Sequence, residues 1–169
     1  MSTFREVYDA GFTYVHHTLR RLGVRDADLD DITHDVFIRV FRHQADFDVT
    51  RPLKPWLFGF AYRTAQEYRR RAVHRREVLV DIETETASPG LAPDEAVAES
   101  QARDQLLVLL EGLSLEQRAV FVLHDVDGCT MPEIVQTLGV PLNTAYSRLR
   151  LARAQLETSL NRMRRRGDR

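Results

Sequence analysis

Cysteine, lysine and long apolar runs are scarce in this 169-residue sequence, and the scarcity of cysteine and of apolar runs each excludes a class of protein. A single cysteine, Cys129, cannot form an internal disulfide or a thiolate metal cluster. No apolar run approaches the roughly 20 residues that span a bilayer, and the acidic, mixed N-terminus MSTFREVYDAGF lacks the pattern of a signal peptide. A soluble protein of the reducing cytoplasm is therefore expected.

Positive charge is carried almost entirely by arginine, because Lys54 is the only lysine. Residues 62–76 hold six arginines against one glutamate, and residues 146–169 hold eight arginines against two acids. Between them, residues 79–104 hold seven acids against one arginine. Two basic regions separated by an acidic one predict two contacts with a polyanion, even though the net charge is only −1.

Residues 130–155, TMPEIVQTLGVPLNTAYSRLRLARAQ, predict two short helices joined by a tight turn. Thr130 and Glu133 have the spacing of a capping box. Gly139 is suited to end the first helix, and Pro141 stands where the second begins. The apolar residues at helical spacing predict one shared seam: Ile134, Leu138, Val140, Ala145, Leu149 and Ala152.

The second of these helices has a polar side whose amide, hydroxyl and guanidinium groups suit base edges and phosphates in a major groove. This favours a DNA-binding helix-turn-helix, and simple helical packing with a solvated arginine face is the alternative. The polar residues are Asn143, Thr144, Tyr146, Ser147, Arg148, Arg150 and Arg153.

A helix near residues 28–42 has a polar face opposite a continuous apolar stripe, which consists of Leu29, Ile32, Val36, Phe37, Val40 and Phe41. The polar face has three interpretations. It could be solvated, or it could dock another protein. Alternatively, Asp31, His34 and Asp35 could bind a metal, because three- and four-residue steps bring them together on a helix.

Residues 54–77 predict another helix, in which aromatic rings are interleaved with arginines. Trp56 and Phe60 are expected in the core. Rings that stack on bases beside guanidiniums that neutralise phosphates are typical of a surface that holds single-stranded nucleic acid. The residues expected to face outward are Lys54, Tyr62, Arg63, Gln66, Arg69 and Arg70.

The remaining segments predict further helices at residues 4–22, 99–112 and 115–124, with Ala102, Leu106, Leu109 and Leu110 facing inward in the second of these. Ser114 and Gln117 have the spacing of a capping box at the start of the third. Residues 80–99 are acidic, contain Pro and Gly, and have no stable period, so they predict a mobile linker. The fold class is therefore all-α, with two small helical domains joined by a flexible acidic linker.

Three segments together resemble the extracytoplasmic-function (ECF) sigma factors, a group of the bacterial sigma-70 family that keeps only sigma regions 2 and 4. DLDDITHDVFIRVF resembles the family's polymerase-docking helix, and PWLFGFAYRTAQEYRRR resembles its promoter-opening helix. LSLEQRAVFVLHDVDGCTMPEIVQTLGVPLNTAYSRLRLAR resembles its region 4. The resemblance implies region 2 at residues 1–78, a linker at 79–98, region 4 at 99–162 and a basic tail at 163–169.

The resemblance also implies a role for each surface. Core RNA polymerase, promoter DNA and an anti-sigma factor would be the partners, with no cofactor or metal. Residues 47–52 would form the loop that captures a base flipped from the −10 element. The implied sites are, for polymerase, Asp30, Asp31, His34, Asp35 and Arg39; for the −10 element and melting, Phe47, Tyr62, Arg63, Gln66, Arg69 and Arg70; and for the −35 element, Asn143, Thr144, Tyr146, Ser147, Arg148 and Arg150.

Two positions depart from the family pattern. Many members have asparagine where this chain has Arg63, which favours phosphate contact over base readout, and many have lysine where this chain has Tyr146. No nucleophile–base pair, phosphate-binding glycine loop or carboxylate dyad indicates an enzyme. A stand-alone helix-turn-helix regulator and a metal-dependent nuclease using Asp31, His34 and Asp35 are the alternatives from other classes.

Overall fold

The chain folds into helices that pack as two bundles. The computed structural model describes residues 3–78 and 94–167. Within these ranges there are seven α-helices and no strand, which confirms the all-α prediction. The expected mobile linker lies mostly at residues 79–93, outside the described ranges. The helices are α1 Phe4–Arg21, α2 Leu29–His43, α3 Leu53–Val78, α4 Asp94–Glu111, α5 Leu115–Phe121, α6 Met131–Leu138 and α7 Leu142–Gly167.

The first bundle consists of α1, α2 and α3. Thr3 and Glu6 form a capping box at the start of α1. Gly11 lets α3 approach α1 closely, because a Cβ at this position would lie 2.5 Å from Leu57 Cδ1. The buried apolar side chains of the three helices form one core, which includes Val15, Leu19, Val36, Phe37, Val40, Leu57, Phe58 and Ala61.

The second bundle consists of α4 to α7 and contains the helix-turn-helix. The predicted capping boxes form at Thr130–Glu133 and at Ser114–Gln117. Gly139 ends α6 with φ of +64°, a backbone angle that favours glycine. Of the predicted seam, Leu138 and Val140 are only half-buried, and the fully packed members are Ile134, Ala145, Leu149 and Ala152.

Three helix boundaries differ from the sequence-based expectation. α4 begins at Asp94 rather than Glu99, so residues 94–98 are helical and not part of the linker. In the same helix Ala102 is exposed, although it was expected to face inward. α5 gives way at Val122 to a π-helical turn, Val122–Val126, rather than continuing as α-helix to His124. α7 continues to Gly167 and includes most of the predicted basic tail.

The two bundles pack against each other, mainly α3 on α6 and α1 near α4. The Tyr14 hydroxyl on α1 donates a 2.6 Å hydrogen bond to Asp127 Oδ2, just before α6. Gly59 on α3 lies against Thr137 on α6, since a Cβ built there would be 3.7 Å from the Thr137 carbonyl oxygen. This packing decides which of the predicted binding residues are accessible.

No helix in the described part of the chain is long and apolar enough to cross a membrane.

Candidate nucleic-acid interface

The second helix of the helix-turn-helix, α7, turns its polar side away from the core. Asn143, Tyr146 and Arg150 are exposed. The other three predicted contacts are half-buried: Thr144, Ser147 and Arg148. The structure thus brings all six residues to one end of α7, at or near the surface, where they are available to a groove.

A salt bridge fixes the orientation of α7 on its own bundle. Arg153 Nε and Nη2 donate to the carboxylate of Asp125 at 2.9 and 2.6 Å. These hydrogen bonds, with a smaller contribution from His124, hold the pKa of Asp125 below its ordinary value. Arg153 lies on the predicted polar side, but its guanidinium is occupied by Asp125 and serves to position the helix.

The polar surface of α3 is less open than the sequence predicts. Arg63 and Arg70 are exposed, and Gln66 and Arg69 are half-buried. Tyr62 was expected to face outward, and this expectation is wrong, because only 8% of its surface is exposed. The helical pattern places Tyr62 correctly on this side of α3, but the second bundle covers it.

Groups from the second bundle surround the covered tyrosine. Burial, followed by the nearby negative charge of Glu116, raises the pKa of the Tyr62 phenol, and the positive charge of Arg148 opposes this shift. Arg148 on α7 is one of the predicted −35 contacts. A residue predicted for one DNA element therefore lies close enough to a residue predicted for the other for its charge to act on it.

Two positively charged side chains from different bundles approach each other at the same boundary, and the carboxylate of Glu111 offsets their repulsion only in part. Arg118 on α5 is 5% exposed, and its pKa is lowered by burial and then by the charge of Arg69 on α3. Arg118 Nε donates to the Leu113 carbonyl oxygen at 3.2 Å, whereas Arg69 Nη1 is buried without a hydrogen-bond partner in the described residues. Covering α3 therefore has an electrostatic cost at this point.

A cleft of about 600 Å³ opens where the last turn of α2 meets the first turns of α3. Phe60 lines it, with the Arg63 guanidinium 5.0 Å above the ring centroid. Phe47, from the loop that follows α2, packs on Trp56 with ring centroids 4.7 Å apart. The full lining is Arg39, Arg42, His43, Asp46, Trp56, Phe60 and Arg63.

Sequence reasoning did not assign Arg42 or His43 to this site. Both lie in the last turn of α2 and are exposed. The only sequence signal was that they precede the loop at residues 47–52. Their proximity to Trp56 and Arg63 on another helix depends on the packing of α2 against α3.

Comparison with known proteins identifies the two bundles. The family model Sigma-70 region 2 matches residues 8–75, and Sigma-70, region 4 matches residues 103–156. The RNA polymerase sigma factor CnrH of Cupriavidus metallidurans is 31% identical over 84% of this chain and 78% of its own length. The chain belongs to the sigma-70 family.

Further similarity places this sigma factor in the ECF group. The ECF RNA polymerase sigma factor SigE of Mycolicibacterium smegmatis is 31% identical over 86% of this chain and 57% of its own length. The fold matches that of the sigma factor RpoE from Bartonella quintana, solved in complex with the anti-sigma factor NepR, with a TM-score of 0.70. That match has 21% identity and covers 94% of this chain and 96% of the other.

Membership of this family establishes the function in general terms. Sigma factors direct RNA polymerase to promoters, so this chain acts in promoter-specific transcription initiation. The interpretation as a stand-alone helix-turn-helix regulator is thereby set aside. In the described ranges, no group of three or more His, Cys, Asp or Glu side chains is placed to hold a metal ion.

The sigma factor presents the predicted polymerase-docking face of α2 openly. Asp30, Asp31, His34 and Asp35 are exposed. Arg39 instead donates two hydrogen bonds, of 2.9 and 2.5 Å, to the Glu67 carboxylate on α3. These bonds hold the pKa of Glu67 below its ordinary value and tie α2 to α3, so Arg39 also positions the two helices.

Apolar side chains extend this face of the sigma factor. Ile38 and Phe41 are 51% and 54% exposed, although the sequence pattern assigned Phe41 to the apolar stripe that faces the core. The Phe41 ring packs edge-on against Phe4 of α1, with centroids 5.0 Å apart. The sequence did not reveal this exposure, because helical spacing does not show where a neighbouring helix ends.

Proposed function

We propose that this sigma factor recognises promoters through two separate surfaces, one on each bundle. The first bundle, assigned to residues 1–78, would bind core RNA polymerase and the −10 element. The second, assigned to residues 99–162, would bind the −35 element. The observation that carries the proposal is the end of α7, where Asn143, Tyr146 and Arg150 stand exposed on a helix fixed by the Asp125–Arg153 salt bridge.

The −35 element would be read by α7 in the major groove. An amide and three hydroxyl groups suit base edges, and guanidinium groups suit guanine or phosphate. The groups assigned to this role are Asn143, Thr144, Tyr146, Ser147, Arg148 and Arg150. Ala145, Leu149 and Ala152 on the other side of α7 are buried in the core. The helix that presents these polar groups to DNA is therefore held rigidly on its bundle.

The −10 element would be bound by α3 and the neighbouring cleft. Arginines along α3 would neutralise the phosphates of the separated strand, while the cleft walls of Trp56 and Phe60 would stack on an extruded base. The assigned residues are Phe47, Tyr62, Arg63, Gln66, Arg69 and Arg70. Because Tyr62 is covered by the second bundle, we propose that the bundles separate when the protein engages a promoter.

Core RNA polymerase would dock on α2. Four groups supply an open polar face for this contact: Asp30, Asp31, His34 and Asp35. Arg39 is assigned to the same face, although its guanidinium is held by Glu67. Since this face lies away from the junction between the bundles, polymerase could bind before the bundles separate.

The chain would supply specificity and no catalysis of its own, because family members of this kind direct an enzyme rather than act as one. Its site of action would be the cytoplasm, where RNA polymerase works.

An anti-sigma factor is a further expected partner, since the structurally similar RpoE was solved with the anti-sigma factor NepR. Residues 163–169 would add phosphate contacts near the end of α7.

Run-off transcription with purified core RNA polymerase tests the proposal. The template is the promoter region upstream of the protein's own gene, with and without the protein. Initiation that requires the protein, and that falls when either the −35 or the −10 element is replaced, is the expected result. Initiation that is insensitive to both replacements would contradict the two-surface assignment.

A further inference from the structure

Two large apolar side chains stand exposed at the start of α7. Leu142, its first residue, is 49% exposed, and Tyr146 is 53% exposed. They are four residues apart, so they share one face of the helix, with Cβ atoms about 6 Å apart. Arg150, four residues further on, continues the same face and is also exposed.

This apolar pair does not belong to the protein core. The buried side of α7 is formed by Ala145, Leu149 and Ala152, which are 0%, 4% and 0% exposed. By helical spacing Leu142 borders this buried side, seven residues before Leu149, and Tyr146 lies further round toward the polar residues assigned to DNA, yet both remain about half exposed. At the end of a helix assigned to a DNA groove, these two exposed apolar groups would gain from burial against an apolar feature of that groove.

A major groove offers one apolar feature on its base edges. The C5-methyl group of thymine is the only such group, because the other edge groups are hydrogen-bond donors and acceptors. Leucine and an aromatic ring bury this methyl group well, whereas neither gains from contact with a guanine or cytosine edge. The spacing of the two Cβ atoms, about 6 Å, is close to twice the 3.4 Å rise of DNA, which places the two side chains over base pairs about two steps apart.

We propose that Leu142 and Tyr146 read thymine methyl groups, so that the −35 element contains thymine on the strand or strands facing this end of α7. The inference rests on the proposed role of α7 in −35 recognition. It adds Leu142 to the contact residues, and it assigns Tyr146 an apolar contact through its ring. Asn143 and Ser147, on the flanking positions, would supply hydrogen bonds to the same base pairs.

Uracil substitution tests the inference, because uracil differs from thymine at this edge only by the missing methyl group. Holoenzyme assembled from core RNA polymerase and the full chain is bound to the promoter found by run-off transcription. Each thymine of the −35 element is replaced by uracil in turn. We expect at least one replacement to weaken binding about fourfold, the effect of burying one methyl group.

Variants then locate the contact on the protein. Leu142→Ala should weaken binding to the thymine promoter and should remove most of the difference between thymine and uracil. Leu160→Ala is the matched control, since Leu160 lies on the same helix, is 37% exposed, and stands about 27 Å further along α7. Tyr146→Phe should retain the preference for thymine, because the ring is kept.

The outcomes separate this inference from the proposed function. If replacing the whole −35 element weakens binding but no uracil substitution does, −35 recognition stands and methyl readout is wrong. Methyl readout by Leu142 is also wrong if Leu142→Ala weakens binding equally on thymine and uracil promoters. If replacing the −35 element has no effect on wild-type holoenzyme, the proposed role of α7 itself fails. Uracil in the spacer between the elements should change nothing.

Discussion

The two helices assigned to DNA carry the same kinds of side chain but present them differently. On α7, Tyr146 is 53% exposed, whereas on α3, Tyr62 is 8% exposed beneath the second bundle. The arginines do not divide in this way, because Arg63 and Arg70 on α3 are exposed, whereas Arg69 is half-buried, with one nitrogen unpartnered among the described residues. A surface suited to nucleic acid by its composition is therefore not always accessible to it.

This difference follows from how the two bundles meet. The Tyr14–Asp127 hydrogen bond and the contact of Gly59 with Thr137 hold them together, while Arg69 and Arg118 repel each other at the same boundary. The arrangement in which the second bundle covers part of α3, called the closed arrangement below, thus combines favourable and unfavourable contacts. We expect it to open at modest cost and to leave the exposed residues of the −35 surface, Asn143, Tyr146 and Arg150, available throughout.

The largest effect is expected from Asp127→Arg. This substitution should separate the bundles and so expose the polar surface of α3 as fully as that of α7. Asp127 accepts from Tyr14 and lies near the positive charges of Arg21 and Lys54. A third cation there would be partly buried without a partner, at a cost of about 3 kcal/mol. Small-angle scattering should show a radius of gyration above the ~15 Å of a compact chain of this length.

Glu157→Arg controls for the change of charge, because Glu157 is exposed on α7. It should leave the radius of gyration at the wild-type value. An unchanged radius for Asp127→Arg as well would mean that the contacts near α6 do not hold the bundles together.

Asp31→Arg should weaken binding to core RNA polymerase. It should not change the exposure of the DNA-binding residues on α3 and α7. Asp31 is exposed on α2, away from the bundle boundary, and a reversed charge in a docking face costs several kcal/mol. Co-purification with core polymerase should fall by about tenfold or more. Asp9→Arg on α1, where the native aspartate has only an exposed pairing with Arg5, should bind normally.

The circular dichroism of the Asp31→Arg protein should match the wild type, since the residue makes no core contact. Retained co-purification would show that polymerase does not use this part of α2.

Arg148→Ala should reduce promoter use mainly through the −35 element. A side chain that contacts a base or phosphate contributes about 1–3 kcal/mol, so transcription should fall roughly tenfold on a template with a −35 match. Arg162→Ala, further along α7, is the matched control and should have a smaller effect. Equal losses on templates with and without a −35 match would count against the assignment.

Arg148 also tests the closed arrangement, because its charge lies beside Tyr62. In the free protein, removing this cation should raise the pKa of Tyr62 further. An unchanged Tyr62 titration, followed by ultraviolet absorbance, would show that the two residues are not neighbours in solution.

The smallest effect concerns pH. Burial, followed by the hydrogen bond to Asp127, raises the pKa of Tyr14 above its ordinary value, and burial likewise raises the pKa of Tyr62. A phenol whose pKa is higher in the closed arrangement than in separated bundles stabilises the closed arrangement. This stabilisation is fully present below about pH 10, the ordinary pKa of tyrosine. This contribution is lost as the pH rises further, so the bundles should separate above pH 10.

Tyr14→Phe distinguishes the contribution of the Tyr14 phenol to this pH dependence from that of Tyr62. It removes a hydrogen bond with a net contribution of about 1 kcal/mol, and it should weaken the pH dependence of the radius of gyration without abolishing it. A pH response identical to that of the wild type would show that Tyr14 does not stabilise the closed form.

Local sequence was sufficient for much of the fold. The capping boxes at Thr130 and Ser114, the stop at Gly139 and the seam of Ile134, Ala145 and Leu149 were all predicted, and all formed. Each depends on residues a few positions apart, where helix geometry alone sets the spacing. The start of α4 was misplaced, because its acidic first turn has the same composition as a linker and also suits a helix N-terminus.

The sequence by itself determined the helices, the helix-turn-helix and the chemical character of each surface, since these depend on periodicity and on local hydrogen bonds. Only the tertiary structure decided which surfaces are open. The burial of Tyr62, the pairing of Arg39 with Glu67 and the cleft beside Trp56 each join helices far apart in the chain. Contacts of this kind depend on how helices pack, which no local pattern of residues encodes.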